Sequence, residues 1–350
     1  MPEKVLVAMS GGVDSSVVAT LLKDEDYDVS GMILRLWSNE DTPLGESQSE
    51  LDAKDIAKKF DIPFYVCDYR KKFYSTVISY FISAYENGET PNPCVMCNRH
   101  AKFEFMLSEA DKLGIDKIAT GHYARVGFDD KAGRYVIRKG ADEKKDQSYM
   151  LVQLTQSQLA RILFPLGDMT KEQIREIAQK KELSVAHKKD SQDICFIPNG
   201  DYVSFIEEHT QKEYQRGEFV DISGNVLGAH KGIIRYTTGQ RKGLGLALPA
   251  PMYVLRKDIE NNKVILGSND MLYTKECTVK DVNAIYVQDF DTPMRADVKV
   301  RYSHIASPAW LYPENGKIKV VFDEPQRAVT CGQTAAFYSG DILLGGGIIE

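Results

Sequence analysis

Apolar and polar positions alternate in blocks along the first half of the chain. Short apolar runs KVLVAM (4–9), DVSGMILRLW (28–37), IPFYVCDY (62–69) and IDKIATGHYA (115–124) read as strands. Between them, DSSVVATLLKD (14–24), SELDAKDIAKKFD (49–61), FYSTVISYFISAYENG (73–88, closed by its glycine) and FEFMLSEADKLG (103–114) read as amphipathic helices. This βαβα rhythm predicts an α/β fold with a doubly wound parallel sheet, in which ligands bind beyond the C-terminal strand ends. A strand pair follows around 134–140, then helices over 157–164 and 171–181. Residues 214–270 are rich in glycine and basic residues, with few helical patterns. From about Glu276 the pattern is all β, with short turn-separated strands that suggest a small barrel or sandwich.

A chain of 350 residues is too long for one ordinary domain. The texture changes divide it into a catalytic domain (1–205), a small central domain (206–272) and a C-terminal β-barrel (273–350). No apolar run reaches the ~18 residues of a membrane span, and MPEKVLVAMSGG lacks the regions of a signal peptide. Cytoplasm is therefore the expected location, with no membrane partner. In a reduced compartment the six cysteines (67, 94, 97, 195, 277, 331) are not expected to form a disulfide framework. Cys67, Cys277 and Cys331 read as small buried hydrophobes.

The net charge of −6 argues against a general nucleic-acid coat. Yet Ile222–Lys257 contains no acid and carries Lys231, Arg235, Arg241, Lys242, Arg256 and Lys257, a local basic face fit for a polyanion.

The sharpest motif is SGGVDSS (10–16), between the first strand and first helix. Its glycines let backbone approach a ligand closely, its serines add hydroxyls, and the helix N-terminus turns free N–H groups toward an anion. The bland alternative is a helix capped by Asp14 and Ser15. The motif is neither a Walker A loop nor a GxGxxG turn; it resembles the PP-loop of the ATP pyrophosphatases, which transfer AMP to a carbonyl oxygen for later displacement by a nucleophile. The second chemical feature, TPNPCVMCNR (90–99), holds Cys94 and Cys97 in a CxxC pair. Such a pair can bind metal, form a disulfide, act as a redox dithiol or supply a nucleophile.

Seven further ordered blocks, TPNPCVMCNR, ATGHYAR, KDQSYML, DSQDICFI, TTGQRKGLG, VRYSH and GQTAAFY…LGGG, resemble the bacterial tRNA-specific 2-thiouridylase family over nearly the whole chain. The resemblance implies ATP-dependent 2-thiolation of the tRNA wobble uridine, by adenylation of its C2 oxygen and sulfur transfer from a cysteine persulfide. It assigns Cys97 as nucleophile and Cys195 as persulfide carrier. It places ATP on Ala8, Met9, Ser10, Gly11, Gly12, Val13, Asp14, Ser15, Leu34 and Gly121, with Mg2+. The target base falls to Asn92, Pro93 and Cys94, and tRNA contacts to His122, Lys145, Asp146, Gln147, Arg301, Tyr302 and Gln333. A cysteine desulfurase or sulfur relay protein would load the persulfide. Family members often carry Asp where this chain has Cys94. Three candidate thiolates at one site therefore raise an alternative, a [4Fe–4S] cluster on Cys94, Cys97 and Cys195 that delivers bound sulfide. Another alternative is a PP-loop ligase acting on a small carbonyl substrate.

Overall fold

The computed structural model describes residues 2–37, 46–188, 194–197 and 200–350. Its first layer is a parallel sheet of β1 (Lys4–Ala8), β2 (Asp28–Arg35), β3 (Phe64–Asp68), β4 (Lys117–Ala119) and β7 (Ile162–Leu163), in the order β3-β2-β1-β4-β7. Val5, Leu6 and Val7 of β1 have no exposed surface, because both faces of the sheet are covered. One face packs α1 (Val13–Asp24), α2 (Gln48–Lys59) and α8 (Lys171–Lys180) through Val17, Leu22, Ile56 and Ile174. On the other face α6 (Phe103–Leu113) packs Phe103 and Met106 with Leu6, Ile118 and Ile162. The doubly wound sheet is thus as the pattern predicts, and the strand order reverses direction at the β1–β4 pair.

Three local expectations differ. SQLARILF is not one helix: α7 (Gln156–Leu159) stops after one turn, and Ile162–Leu163 leave to pair with Ile118 and Ala119. Burial of Ile162 against the sheet outweighs helical propensity there. The ATGHYA segment is not one strand: β4 ends at Ala119, and Ala124 opens a new one. The helix over 73–88 starts earlier, as α3 (Arg70–Phe73), and reaches α4 (Ser79–Glu86) through a π-turn at Tyr74–Ile78.

The central sheet has the order β10-β11-β8-β9, from β8 (Gly217–Val220), β9 (Val226–His230), β10 (Tyr253–Asp258) and β11 (Lys263–Gly267). It shares a core with α4 and α9 (Tyr202–Thr210), where Phe81, Phe205, Phe219 and Val254 meet. The C-terminal strands β12 (Tyr273–Ala284), β13 (Met294–Lys299), β14 (Ser307–Glu314), β15 (Lys317–Arg327), β16 (Thr334–Ser339) and β17 (Ile342–Ile349) run β12-β15-β14-β13-β16-β17. Antiparallel pairing of β12 with β17 closes them into a barrel.

The hairpin of β5 (Ala124–Asp129) and β6 (Arg134–Lys139) does not extend the parallel sheet. β6 pairs with β17, Arg138 opposite Ile342 and Ile137 opposite Leu343. Fully buried Ile137 joins Ala336, Tyr338 and Leu343 in one cluster with β1 and α6 residues. Replacing Ile137 by Ala removes apolar contact from that joint and is expected to cost roughly 2–5 kcal/mol. Urea unfolding followed by tryptophan fluorescence reads the loss as a lower midpoint; an unchanged midpoint would show that the hairpin contributes nothing to the joint.

Candidate active site

The glycine loop leaves β1 at the reversal of strand order, opposite the loop that leaves β4. Gly11 adopts φ +67, and a Cβ there would lie 2.1 Å from the Ser49 carbonyl oxygen. Gly12, not Asp14 or Ser15, occupies the N-cap of α1, and no side chain caps the helix. Its first-turn amides are thus left to a ligand. Ser15 Oγ accepts from Ser10 N at 3.0 Å, and Ser16 Oγ donates to the Gly12 carbonyl at 2.8 Å, which folds the loop over itself. Gly121 closes the other side: a Cβ there would meet Asp14 Cβ at 3.0 Å and Ser15 N at 3.2 Å. Ala8, Met9 and Val13 belong to the rim only through backbone, since Met9 and Val13 are buried. Leu34, half-buried on β2, lies opposite Cys67 of β3 and packs into the sheet's core.

Two lysines that sequence reading passed over stand at this loop. Lys171, buried at the N-terminus of α8, bonds both Asp14 carboxylate oxygens at 2.7 and 2.9 Å, and Tyr123 OH donates to the same carboxylate at 2.8 Å. Lys188 Nζ reaches the Gly11 carbonyl at 2.9 Å and Asp52 at 2.8 Å. Neither is marked by local spacing, because each lies more than a hundred residues from the loop it meets.

The CxxC pair is helical rather than a loop. Asn92 caps α5 (Pro93–Cys97) by accepting from Val95 N at 3.4 Å, with Pro93 in the first turn. An Asn-Pro start is a recognisable helix signal. A π-turn, Asn98–Lys102, joins α5 to α6, and Phe103 N donates to the Asn98 carbonyl. Residues five apart in an α-helix face roughly 140° from one another; a π-turn, bonding i to i+5, turns Lys102 back over Cys97. The Lys102 charge, with the nearby Lys102 backbone as a lesser contribution at Cys97, favours the thiolates of Cys97, Cys94 and Cys195.

These three cysteines influence one another across a gap of 98 positions between Cys97 and Cys195. Burial raises all three thiols, Cys195 to about 12, and the neighbouring thiols of Cys97 and Cys94 push Cys195 the same way. Cys94 and Cys195 nonetheless present surface to solvent, as sulfurs in a recess do. Among the described residues no three Cys, His, Asp or Glu side chains are gathered closely enough to hold a metal ion. The alternative [4Fe–4S] ligand set on Cys94, Cys97 and Cys195 is not gathered among the described residues. Of the DSQDICFI block, residues 190–193 lie outside the described residues. Cys331, expected to be buried, is exposed, because it sits in the turn before β16.

The residues assigned to tRNA divide into several environments. His122 is buried between Phe103 and Phe164, each ring 5.6 Å away, with Nδ1 2.7 Å from Thr120 Oγ1. Its burial, and secondarily the Lys102 charge, hold the imidazole neutral. Asp146 is buried and accepts from Gly140 N, Ser148 N and Ser148 Oγ. Gln147 accepts from Tyr123 N at 3.1 Å, and half-buried Lys145 adjoins them. Arg301 donates to the Ala328 carbonyl at 2.7 Å and to Thr330 Oγ1. Gln333 donates to the Thr90 carbonyl at 2.8 Å. Tyr302 is exposed, with Lys299 5.3 Å above its ring. Of the acid-free window, Arg235 pairs with Glu207 and Lys257 lies against Tyr85, while Lys231, Arg241, Lys242 and Arg256 face solvent.

A parallel sheet with an uncapped glycine loop at its switch point, followed by two small β domains, defines a PP-loop enzyme with β-rich appendages. Family models match the same three parts: a tRNA methyl transferase HUP domain over residues 3–199, a tRNA methyl transferase PRC-barrel domain over 203–268, and an aminomethyltransferase β-barrel domain over 274–349. The tRNA-specific 2-thiouridylase MnmA of Acetivibrio thermocellus is 51% identical, with 99% of each chain covered. That of Clostridioides difficile is 47% identical, over 100% of this chain and 99% of its own. The chain belongs to the tRNA-specific 2-thiouridylase family.

The raised Cys195 thiol predicts slow alkylation at neutral pH. In the unliganded protein its iodoacetamide rate, read by peptide mass spectrometry, should climb about tenfold per pH unit from 7 to 10 without a plateau; a plateau below pH 9 contradicts this. Lys102→Met should slow Cys97 alkylation several-fold at pH 8, and Lys102→Arg should restore most of it.

Proposed function

We propose that this enzyme, an ATP-dependent tRNA-uridine 2-sulfurtransferase, thiolates the wobble uridine by a persulfide route on Cys195 and Cys97. The observation that carries the reading is near-full-length identity to the 2-thiouridylases, joined to a glycine loop and a cysteine-bearing helix at one end of the sheet.

ATP's phosphates lie on the backbone of Ser10–Ser15 and the first turn of α1, with Lys171 and Lys188 beside them. A nucleotide-borne Mg2+ would be held by phosphate oxygens and by Asp14, whose carboxylate Lys171 and Tyr123 already bond, and would supply charge neutralisation. The uridine turns out of the anticodon stack toward Asn92, Pro93 and Cys94. Its C2 oxygen attacks the α-phosphorus; the O–P bond forms as the α–β bridge breaks and pyrophosphate leaves. Adenylation turns that oxygen into part of a good leaving group.

The terminal sulfur of the Cys195 persulfide then attacks C2, and AMP departs with the oxygen. Cys97 thiolate attacks Cys195 Sγ, the persulfide S–S bond breaks, and its electron pair stays on the sulfur of 2-thiouridine. A Cys97–Cys195 disulfide remains, and a dithiol reductant restores it with two electrons. Lys102 favours the anionic sulfur at each stage. A cysteine desulfurase or relay protein reloads Cys195. The basic residues of the central domain and the exposed Tyr302 supply phosphate and stacking contacts for tRNA. Cytoplasm is the compartment where reduced cysteines and tRNA coexist, and no described helix is long and apolar enough to cross a membrane.

The test is nucleoside mass spectrometry after incubation of unmodified tRNA with ATP, magnesium, a cysteine desulfurase with L-cysteine to load the Cys195 persulfide, a dithiol reductant and the protein. AMP and 2-thiouridine should form together. Cys195→Ser and Cys97→Ser should lower 2-thiouridine by at least roughly a hundredfold while tRNA-dependent pyrophosphate release persists; wild-type levels of thiolation in both variants would overturn the persulfide route.

A further inference from the structure

The turn that precedes β16 touches the segment leading into the CxxC helix at three successive residues. The Cys331 carbonyl accepts from Thr90 N at 2.9 Å. Gln333 Nε2 donates back to the Thr90 carbonyl at 2.8 Å and approaches the Pro91 carbonyl at 3.5 Å. Between them Gly332 has φ +86, and a Cβ there would lie 2.8 Å from Glu89 Cβ and 2.9 Å from Thr90 N. Both backbone polar groups of Thr90 are thus satisfied by the barrel, and the close approach leaves no room for a side chain.

The same turn is fixed from behind. Arg301 donates to the Ala328 carbonyl at 2.7 Å, to Thr330 Oγ1, and toward the Thr238 carbonyl of the central domain at 3.4 Å. Thr330 Oγ1 donates to the Ala328 carbonyl at 2.8 Å, and Gln333 N to the Thr330 carbonyl at 3.2 Å. Beside it, Tyr149 OH donates to the Thr334 carbonyl at 2.8 Å. Lys280 of β12 adds a charge contact to Glu89 at 3.5 Å. A continuous set of hydrogen bonds therefore runs from the central domain, through Arg301 and the 328–333 turn, to Thr90 and Pro91. Asn92, which caps the cysteine helix, is the next residue.

A side-chain N–H spent on a protein carbonyl is not free to donate to a nucleotide. Gln333 has its donor on Thr90, and one guanidinium nitrogen of Arg301 is spent on the turn. We propose that Gln333 is a positioning residue: with Gly332 and Arg301 it forms a clamp by which the C-terminal barrel fixes the approach to Asn92–Cys97, so that the barrel sets where the target base meets the sulfur site. The proposal rests on the thiolation reading above. It differs from direct tRNA recognition by Gln333 in what it predicts: loss of the clamp loosens the cysteine helix in the free protein and slows transfer on bound tRNA, while tRNA affinity is retained.

Gln333→Glu keeps the shape and removes the donor facing the Thr90 carbonyl; Gly332→Ala pushes the two segments apart from the other side. Three quantities are measured on full-length wild type and both variants: iodoacetamide labelling of Cys94 without tRNA, ATP or sulfur donor; the Kd for unmodified tRNA; and single-turnover 2-thiouridine formation at saturating tRNA. In both variants the clamp predicts Cys94 labelling several-fold faster, a Kd within about twofold of wild type, and turnover slowed roughly five- to tenfold, the scale of one lost hydrogen bond. The labelling arm needs no thiolation activity, so a wild type that makes no 2-thiouridine sinks the function reading and leaves the clamp under test. Unchanged Cys94 labelling in both variants, or a Gln333→Glu defect carried in Kd with normal turnover at saturation, overturns the proposal.

Discussion

Everything at the nucleotide end depends on how closely two loops approach at the β1–β4 junction. Gly121 lies against the first turn of α1 with no space for a methyl group beside Asp14 and Ser15. That contact, with Gly11 pressed on the backbone of α2, holds a helix end that no side chain caps. The first four N–H groups of any helix lack partners within it, and no side chain caps this end. Here the surrounding sheet holds the end in place, so its donors remain available to phosphate. Lys171 and Lys188 stand at the same loop, one paired with Asp14 and the other with Asp52 while it donates to the Gly11 carbonyl.

The sulfur end answers an opposite demand. Burial excludes water from the recess that holds the three thiols, but the same burial opposes their ionisation. Cys94, Cys97 and Cys195 all feel this penalty. The chain compensates with one cation, Lys102, presented by a change of helical pitch immediately after Cys97. Cys94, whose role the sequence left open, shares that field and takes its position from the Asn92 cap.

Local signals in the sequence were enough for the parallel sheet, the glycine loop and the β character of the C-terminal region, because each depends on short-range periodicity or on a turn between neighbouring elements. Features made by distant residues escaped it. The two-residue strand Ile162–Leu163 is defined only by its partner β4, and the 134–139 strand by a partner at the far end of the chain. Lys102 was invisible for another reason: a helical wheel with an α pitch points it away from Cys97. The helix around CxxC could have been found, since Asn-Pro is a start signal, but two cysteines drew the reading toward loop chemistry. Gln333 and Arg301 entered through family resemblance as RNA contacts, whereas their hydrogen bonds run inward to Thr90, Ala328 and Thr330.

The joint between β6 and β17 carries a consequence for biosynthesis. Ile137 and Leu343 become neighbours only when the last strand exists. During translation the hairpin leaves the ribosome with one edge unsatisfied and waits while the central domain and five barrel strands are made. Long-range pairing of this kind slows folding and exposes an adhesive strand edge in the interim. The charged residues of that hairpin, Arg134, Arg138 and Lys139 on one strand and Arg125 and Asp129 on the other, are suited to keep the nascent edge soluble until β17 arrives. Synthesis of β17 thus completes the joint to the first domain as well as the barrel.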